Sequence, residues 1–251
     1  MDASSPTPFD AATRQGQFTP THWSVVMAAR QQEDSDASMA ALARLCSTYW
    51  RPLYAFIRRQ GMPPHEAEDM TQGFFEHFLE RDALRNVSPA AGKFRSFLLA
   101  CLKHFLANQR ERAQAQRRGG GQRLISLDGS SGETQYLLEP ADTLSPDALF
   151  ERRWAFAVLE QALSRLREEY VCRNQGELFE ALKGFLPGGE GELSRPEVAT
   201  RQGISAGALD VAIHRLRQRF GTCLRVEVSQ TVSSNEQVDE ELRHLISVLG
   251  R

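Results

Sequence analysis

The stretch LSRPEVATRQGISAGALDVAIHRLRQRF, from Leu193 to Phe220, decides how the chain is read. Ser194 suits a helix cap, and Pro196 fits the first turn, where its missing N–H would be unpaired anyway. Val198 and Ala199 supply an inward face. Gly203 then permits a tight turn, Ile204 plugs the core beneath it, and Ser205 caps a second helix. That helix carries Leu209, Ile213 and Leu216 at four- and three-residue steps, which sets them on one inward stripe. His214, Arg215, Arg217 and Arg219 fall on the outward side. At 1.5 Å per residue the second helix is about 20 Å long, a length that suits the major groove of DNA. A short helix, a glycine turn and a longer arginine-rich helix predict a DNA-binding helix-turn-helix. An ordinary antiparallel helix pair is the plainer alternative.

Working outward, helical periodicity dominates and strand alternation is almost absent. Thr21 precedes a short apolar helix through Trp23, Val26 and Met27. A longer helix is expected from about Ala37 to Gln60, with Pro52 kinking or splitting it. Gly61 and Pro63-Pro64 break the chain, and a helix follows from about His65 with Met70, Phe74, Phe75, Phe78 and Leu79 on one face. After a loop over Asn86 to Gly92, Phe94, Phe97, Leu98, Cys101, Leu102, Phe105 and Leu106 form another apolar stripe, which turns basic beyond Asn108. Gly119-Gly120-Gly121 reads as a hinge, and the polar, acidic stretch to Pro146 as a linker. Phe150, Trp154, Val158, Leu163, Leu166 and Tyr170 open a second helical unit. A break at Pro187-Gly188-Gly189 leads into the helix-turn-helix, and an amphipathic tail helix spans about Asn235 to Leu249.

The chain has 251 residues with 41% hydrophobic and 25% charged content, enough for one large domain or two small ones. No run approaches the roughly 20 apolar residues of a membrane span. Met1 to Gln17 lacks the basic start and apolar stretch of a secretory signal, so a cytoplasmic location is expected. Cys46, Cys101, Cys172 and Cys223 have none of the short spacings of a zinc or redox site; three of the four sit among apolar neighbours, so burial in a reducing compartment is the expected reading. Net charge is only −2, but its distribution is uneven. Lys93 to Arg123 holds eight basic residues against the single Glu111, and Arg195 to Arg225 holds six against Glu197 and Asp210. Between them, Leu124 to Glu151 carries six acids and no Lys or Arg. Two basic blocks around an acidic spacer suggest two points of contact with one polyanion.

In the first basic block, Phe94-Arg95-Ser96-Phe97-Leu98 leads into Lys103, His104, Asn108, Arg110 and Arg112. Exposed rings beside a basic helix would suit single-stranded DNA, where bases stack and phosphates meet cations. Equally, every Phe here can belong to the core. Upstream, Glu66, Glu68, Asp69 and Glu76 share a helix with Phe74, Phe75 and Phe78. No His–Asp or Cys constellation supports catalysis or a metal there, so an acidic-rimmed docking surface is the better reading. Asp210 breaks the basic pattern of its helix. It either accepts a hydrogen bond from a cytosine amino group or pairs with a base such as His214 or Arg217.

These pieces, in this order, resemble a bacterial RNA polymerase sigma factor of the extracytoplasmic-function type. Glu66-Ala67-Glu68-Asp69-Met70-Thr71-Gln72 with Phe75 looks like the region of those factors that docks on the polymerase clamp helices. Phe94-Arg95-Ser96-Phe97-Leu98, followed by Asn108 and Arg112, is similar to the stretch that reads and opens the −10 element. Leu193 to Arg219 looks like the helix-turn-helix that reads the −35 element. Phe18-Thr-Pro-Thr-His-Trp-Ser24 and Tyr49-Trp50 with Pro52-Leu53-Tyr54 resemble a subgroup with a longer C-terminal tail. Gly73 stands where the family usually has Glu, and Asp210 and Ala212 stand where Lys and Arg are common.

The resemblance implies an all-α fold of two small helical domains joined by a flexible acidic linker. It places a disordered tail at 1–17, a domain like sigma region 2 at 18–118, and the linker at 119–146. A domain like region 4 follows at 147–225, with the helix-turn-helix at 194–219, and a tail at 226–251. It implies promoter DNA and core RNA polymerase as partners, leaves room for an anti-sigma factor or other regulator, and implies no cofactor or catalytic residue. Polymerase contacts would fall on Glu66, Asp69, Gln72 and Phe75. Contacts to the −10 element would fall on Arg95, Phe97, Lys103, His104, Asn108 and Arg112. Contacts to the −35 element would fall on Arg195, Ser205, Ala206, Ala208, Leu209, Asp210, His214, Arg215 and Arg217. A stand-alone helix-turn-helix regulator and a sigma-like adaptor without promoter activity remain the alternatives.

Overall fold

The computed structural model describes residues 22–23, 25–26, 36–79, 92–117, 144–189 and 193–250, and every regular element among them is helical. Helix α1 (Asp36–Arg59) runs through Pro52 as one helix, so of the kink or split expected there, the split does not occur. Tyr49, Leu53 and Ile57 are fully buried on either side of that proline, with Phe56 nearly so. Burying such side chains stabilises by about 1.5–3 kcal/mol each, which outweighs the ~3 kcal/mol cost of one internal proline. Gly61 takes a φ of 86° and turns the chain into α2 (Pro64–Leu79), which buries Ala67, Thr71, Phe74, Phe75 and Phe78. Helix α3 (Phe94–Arg117) turns Phe94, Leu98, Leu102, Phe105 and Leu106 inward at helical spacing.

Helix α4 (Pro146–Cys172) starts where the sequence predicts a helical unit. Ser145 caps it, its side chain accepting from the Ala148 N–H at 3.2 Å. The short α5 (Gly176–Leu182) and a 3₁₀ turn, Lys183–Phe185, lead toward α6 (Arg195–Gln202) and α7 (Ala206–Thr231). A second 3₁₀ turn, Asn235–Gln237, starts the tail helix α8 (Val238–Leu249). None of these helices is long and apolar enough to cross a membrane.

Two apolar cores result, and the division between them falls inside helices. Phe150, Trp154, Ala155 and Val158 from the first half of α4 pack with α1, α2 and α3. Val228, Val232, Val238, Leu245 and Val248 join the same core from the C-terminal end. The second half of α4, through Ala162, Leu166 and Tyr170, forms the other core with α5, α6 and the first half of α7. The boundaries expected from sequence, at the linker and near residue 225, therefore differ from the packing, because α4 and α7 are continuous rods that each serve both cores. Residues 118–143, most of the expected linker, lie outside the described residues, as does the expected tail at 1–17.

Buried charge ties the rods together. Glu227 on α7 is 6% exposed and accepts from Arg44 of α1 at 2.9 and 2.8 Å and from Arg165 of α4 at 2.7 Å. His22 is buried against Tyr49 and Phe94, with its Nδ1 3.3 Å from the Tyr49 hydroxyl. Burial, helped by the nearby Arg44 charge, pulls the His22 pKa down to about 3, so the ring is neutral near pH 7. Burial likewise pushes Cys46, Cys101 and Cys223 up to about 11, whereas Cys172 is exposed.

Candidate nucleic-acid interface

The second core positions the helix-turn-helix. At the start of α6 the Glu197 carboxylate accepts from the Ser194 backbone N–H at 2.8 Å and the Ser194 hydroxyl at 2.7 Å. Those two bonds hold the Glu197 carboxyl below its ordinary pKa. Gly203 ends α6 in the left-handed conformation, φ 63° and ψ 31°, a geometry that glycine adopts without a Cβ penalty. The Ile204 N–H then reaches back to the Ala199 carbonyl at 3.1 Å. Ser205 caps α7 by accepting from the Ala208 N–H at 3.2 Å. Leu209, Ile213 and Leu216 pack inward with Val198 and Ala199.

The structure separates the residues expected at the −35 element into three groups. Ser205, Ala206, Ala208, Asp210, His214 and Arg215 are exposed along α7. Leu209 is 1% exposed and does not face a ligand, because it lies on the same stripe as Ile213 and Leu216. Arg217 donates from Nε and Nη2 to the Phe185 carbonyl at 2.9 and 2.8 Å, so most of its fork braces α7 against the turn after α5. Arg219 is similarly engaged, gripping Glu169 of α4 at 2.5 and 2.9 Å. Asp210 pairs with neither His214 nor Arg217. Its carboxylate meets Arg195 of α6 at 3.1 Å, with both side chains more than half exposed.

The strip opposite the buried stripe comprises Gly207, Val211, His214, Arg215 and Gln218, all exposed. Val211 is 49% exposed, high for an apolar residue, and suits contact with a thymine methyl group. A Cβ built on Gly207 would meet nothing within 4 Å, so backbone and ligand can approach closely there. The residues expected from sequence did not include Gly207, Val211 or Gln218. Stepping 100° per residue away from Leu209, Ile213 and Leu216 would have found them.

The first basic block behaves differently. Its rings are core residues: Phe94 is fully buried, and half-buried Phe97 lies 5.0 Å from Trp23 and 6.3 Å from Phe78 by ring centroids. Arg95, expected to meet DNA, is 4% exposed. Its Nε and Nη2 donate to Glu241 of α8 at 2.8 and 3.2 Å, and its Nη1 donates to Glu151 of α4 at 2.9 Å. The guanidinium also lies 4.8 Å from the Trp154 ring centroid. Farther along α3, Lys103, His104 and Arg112 are exposed and Asn108 is half-buried. Lys103 pairs with Asp147, Asn108 contacts His104 at 3.2 Å, and Arg110 donates to Gln60.

On α2, Glu66, Asp69 and Gln72 are exposed, and Gln72 donates to Glu76 at 2.9 Å. Phe75, expected to anchor a partner, is 6% exposed and stacks on Trp50 with ring centroids 5.9 Å apart. Each three-residue step falls about 60° short of a full helical turn, so three such steps carry Phe75 to the side opposite Glu66. No protein-family model, curated protein or solved structure matches the chain.

Proposed function

We propose that the chain is a sigma factor that binds core RNA polymerase and directs promoter recognition at −10 and −35 elements. The observation that carries this reading is the capped helix-turn-helix of α6 and α7, with its outward strip of Gly207, Val211, His214, Arg215 and Gln218. Glycine, an apolar side chain, arginine and an amide together fit the mixed donor, acceptor and methyl pattern of a major groove better than a uniform phosphate surface. The exposed acidic face of α2 and the basic outer face of α3 are compatible with docking and −10 surfaces in the order a sigma factor requires, although Phe75 and Arg95 are buried. A stand-alone regulator would need a dimerisation element to read a palindrome. The tail helix, its natural candidate, already buries Val238, Leu245 and Val248 within the chain.

The test is to mix the purified chain with core polymerase on a gel-filtration column and footprint the complex on promoter DNA selected from a random library. The expected result is co-elution and protection of two elements one spacer apart. Arg215→Ala should keep polymerase binding while weakening binding to the −35 duplex about tenfold, the range of one lost base contact. Protection of a palindrome without polymerase would overturn the sigma reading in favour of the stand-alone regulator.

A further inference from the structure

Helix α8 meets the start of α3 with carboxylates. Glu241 is fully buried and takes both Nε and Nη2 of Arg95, while Glu240 takes Lys93 at 2.8 Å and Glu241 approaches the same ammonium at 3.1 Å. Glu151 of α4 completes the set on Arg95, and His244 of α8 sits 2.9 Å from the other oxygen of Glu151. All three guanidinium nitrogens of Arg95 are therefore occupied, and two of them are held by the tail. Burial pulls the Lys93 pKa down, but its bonds to Glu240 and Glu241 outweigh that effect and leave it above the ordinary value.

We infer that α8 is an intramolecular latch whose Glu240 and Glu241 occupy Lys93 and Arg95 in place of nucleic-acid phosphates, so that single-stranded DNA and the tail compete for the same two cations. The inference rests on the proposed function only for the identity of the competitor; the occupancy of the two cations is a matter of geometry. A carboxylate is a fair stand-in for a phosphate, because each offers two anionic oxygens that an arginine fork can engage bidentately. The tail is also built to detach. A 12-residue helix is marginal on its own and depends on docking through Val238, Leu245 and Val248. A short stretch from Val232 to Gln237 tethers it to α7, which keeps it at high effective concentration near its seat. Opening the latch frees Lys93 and the Nε and Nη2 of Arg95, with Nη1 still on Glu151, without disturbing the helix-turn-helix, whose core excludes α8.

The test uses the full chain and a labelled, AT-rich single-stranded DNA oligonucleotide. Fluorescence anisotropy at several salt concentrations compares wild type with Glu240→Gln/Glu241→Gln. The variant should bind at least about fivefold tighter, with a salt slope steeper by about 1.4 units as two phosphate contacts become available on a single strand. Equal affinity and slope in a folded variant would overturn the latch. Should the variant fail to fold, hydrogen exchange on wild type decides the matter. Saturating oligonucleotide should speed exchange of the α8 amides while leaving those of α6 unchanged, and unaltered α8 protection would overturn it. Co-elution with core polymerase is read separately. A chain that binds polymerase but keeps α8 protected refutes the latch alone, whereas one that releases α8 on DNA but never binds polymerase refutes the sigma reading alone.

Discussion

The two cores are built on different chemistry. The one around α6 and the first half of α7 buries only apolar side chains: Ala162, Leu166, Phe179, Leu182, Val198, Leu209, Ile213 and Leu216 are among them. All eight buried polar or charged residues among those described, including His22, Arg95, Glu227 and Glu241, lie on the other side. The apolar core is assembled from contacts within about sixty residues of chain. The polar one is sewn by pairs far apart in sequence, such as Arg95 with Glu241 and Arg44 with Glu227. Apolar packing is permissive about its partner, whereas a buried ion pair that loses one member leaves an uncompensated charge. The first kind of core suits a recognition module that must hold one shape. The second suits a surface whose exposure depends on what sits on it.

The sharpest way to break this contrast is to ask whether the two cores unfold separately. Trp154→Ala in the polar-sewn core should cost about 3–5 kcal/mol and Leu216→Ala in the apolar one about 2–5 kcal/mol. Because α4 and α7 run through both, each substitution should shift one shared urea transition followed by far-ultraviolet circular dichroism. Two resolved transitions would mean that the cores are thermodynamically separate domains.

Ion pairs provide the next comparison. Glu227→Ala should destabilise by about 2–3 kcal/mol, somewhat less than breaking a fully buried pair, because Arg44 and Arg165 still reach water. Asp210→Ala removes an exposed pair with Arg195 and should cost less than about 1 kcal/mol. Comparable losses in the same denaturation assay would erase the distinction between buried and surface pairing.

Acid should select the polar-sewn core. His22 has a folded-state pKa of about 3, below its unfolded value, so its contribution is present above pH 6.5 and is lost as pH falls toward 3. Between pH 7 and pH 4.5 that loss amounts to about 2 kcal/mol. His22→Asn, which cannot titrate, should flatten the pH dependence of the urea midpoint over this window. An unchanged profile would mean that the ring is not buried in solution.

The same contrast governs what could be read in the sequence. The start of α3 at Phe94, the capped turn at Gly203 and the inward stripe of Leu209, Ile213 and Leu216 are local events, set by residues a few positions apart, and all were legible. The all-helical character was legible for the same reason. Leu209 was nonetheless also expected at DNA, an inconsistency that the 100° step resolves. The split expected as one outcome at Pro52 did not occur, because local propensity cannot weigh the burial of Tyr49 and Leu53 beside it. The fates of Arg95 and Phe75 were hidden more deeply. Glu241 lies 146 positions from Arg95, and Trp50 reaches Phe75 from another helix, so no window of sequence contains either partner.

Helix α7 gives the molecule a lever arm. Glu227 and Val228 hold one end, and Val211 stands about 24 Å away along the axis at 1.5 Å per residue. A tilt of a few degrees at the held end sweeps the reading strip by on the order of 2 Å, more than separates a made hydrogen bond from a lost one. If the strip reads DNA as proposed, its angle depends on Arg44 and Arg165 at the held end as well as on Arg217 and Arg219, which brace α7 nearer the strip.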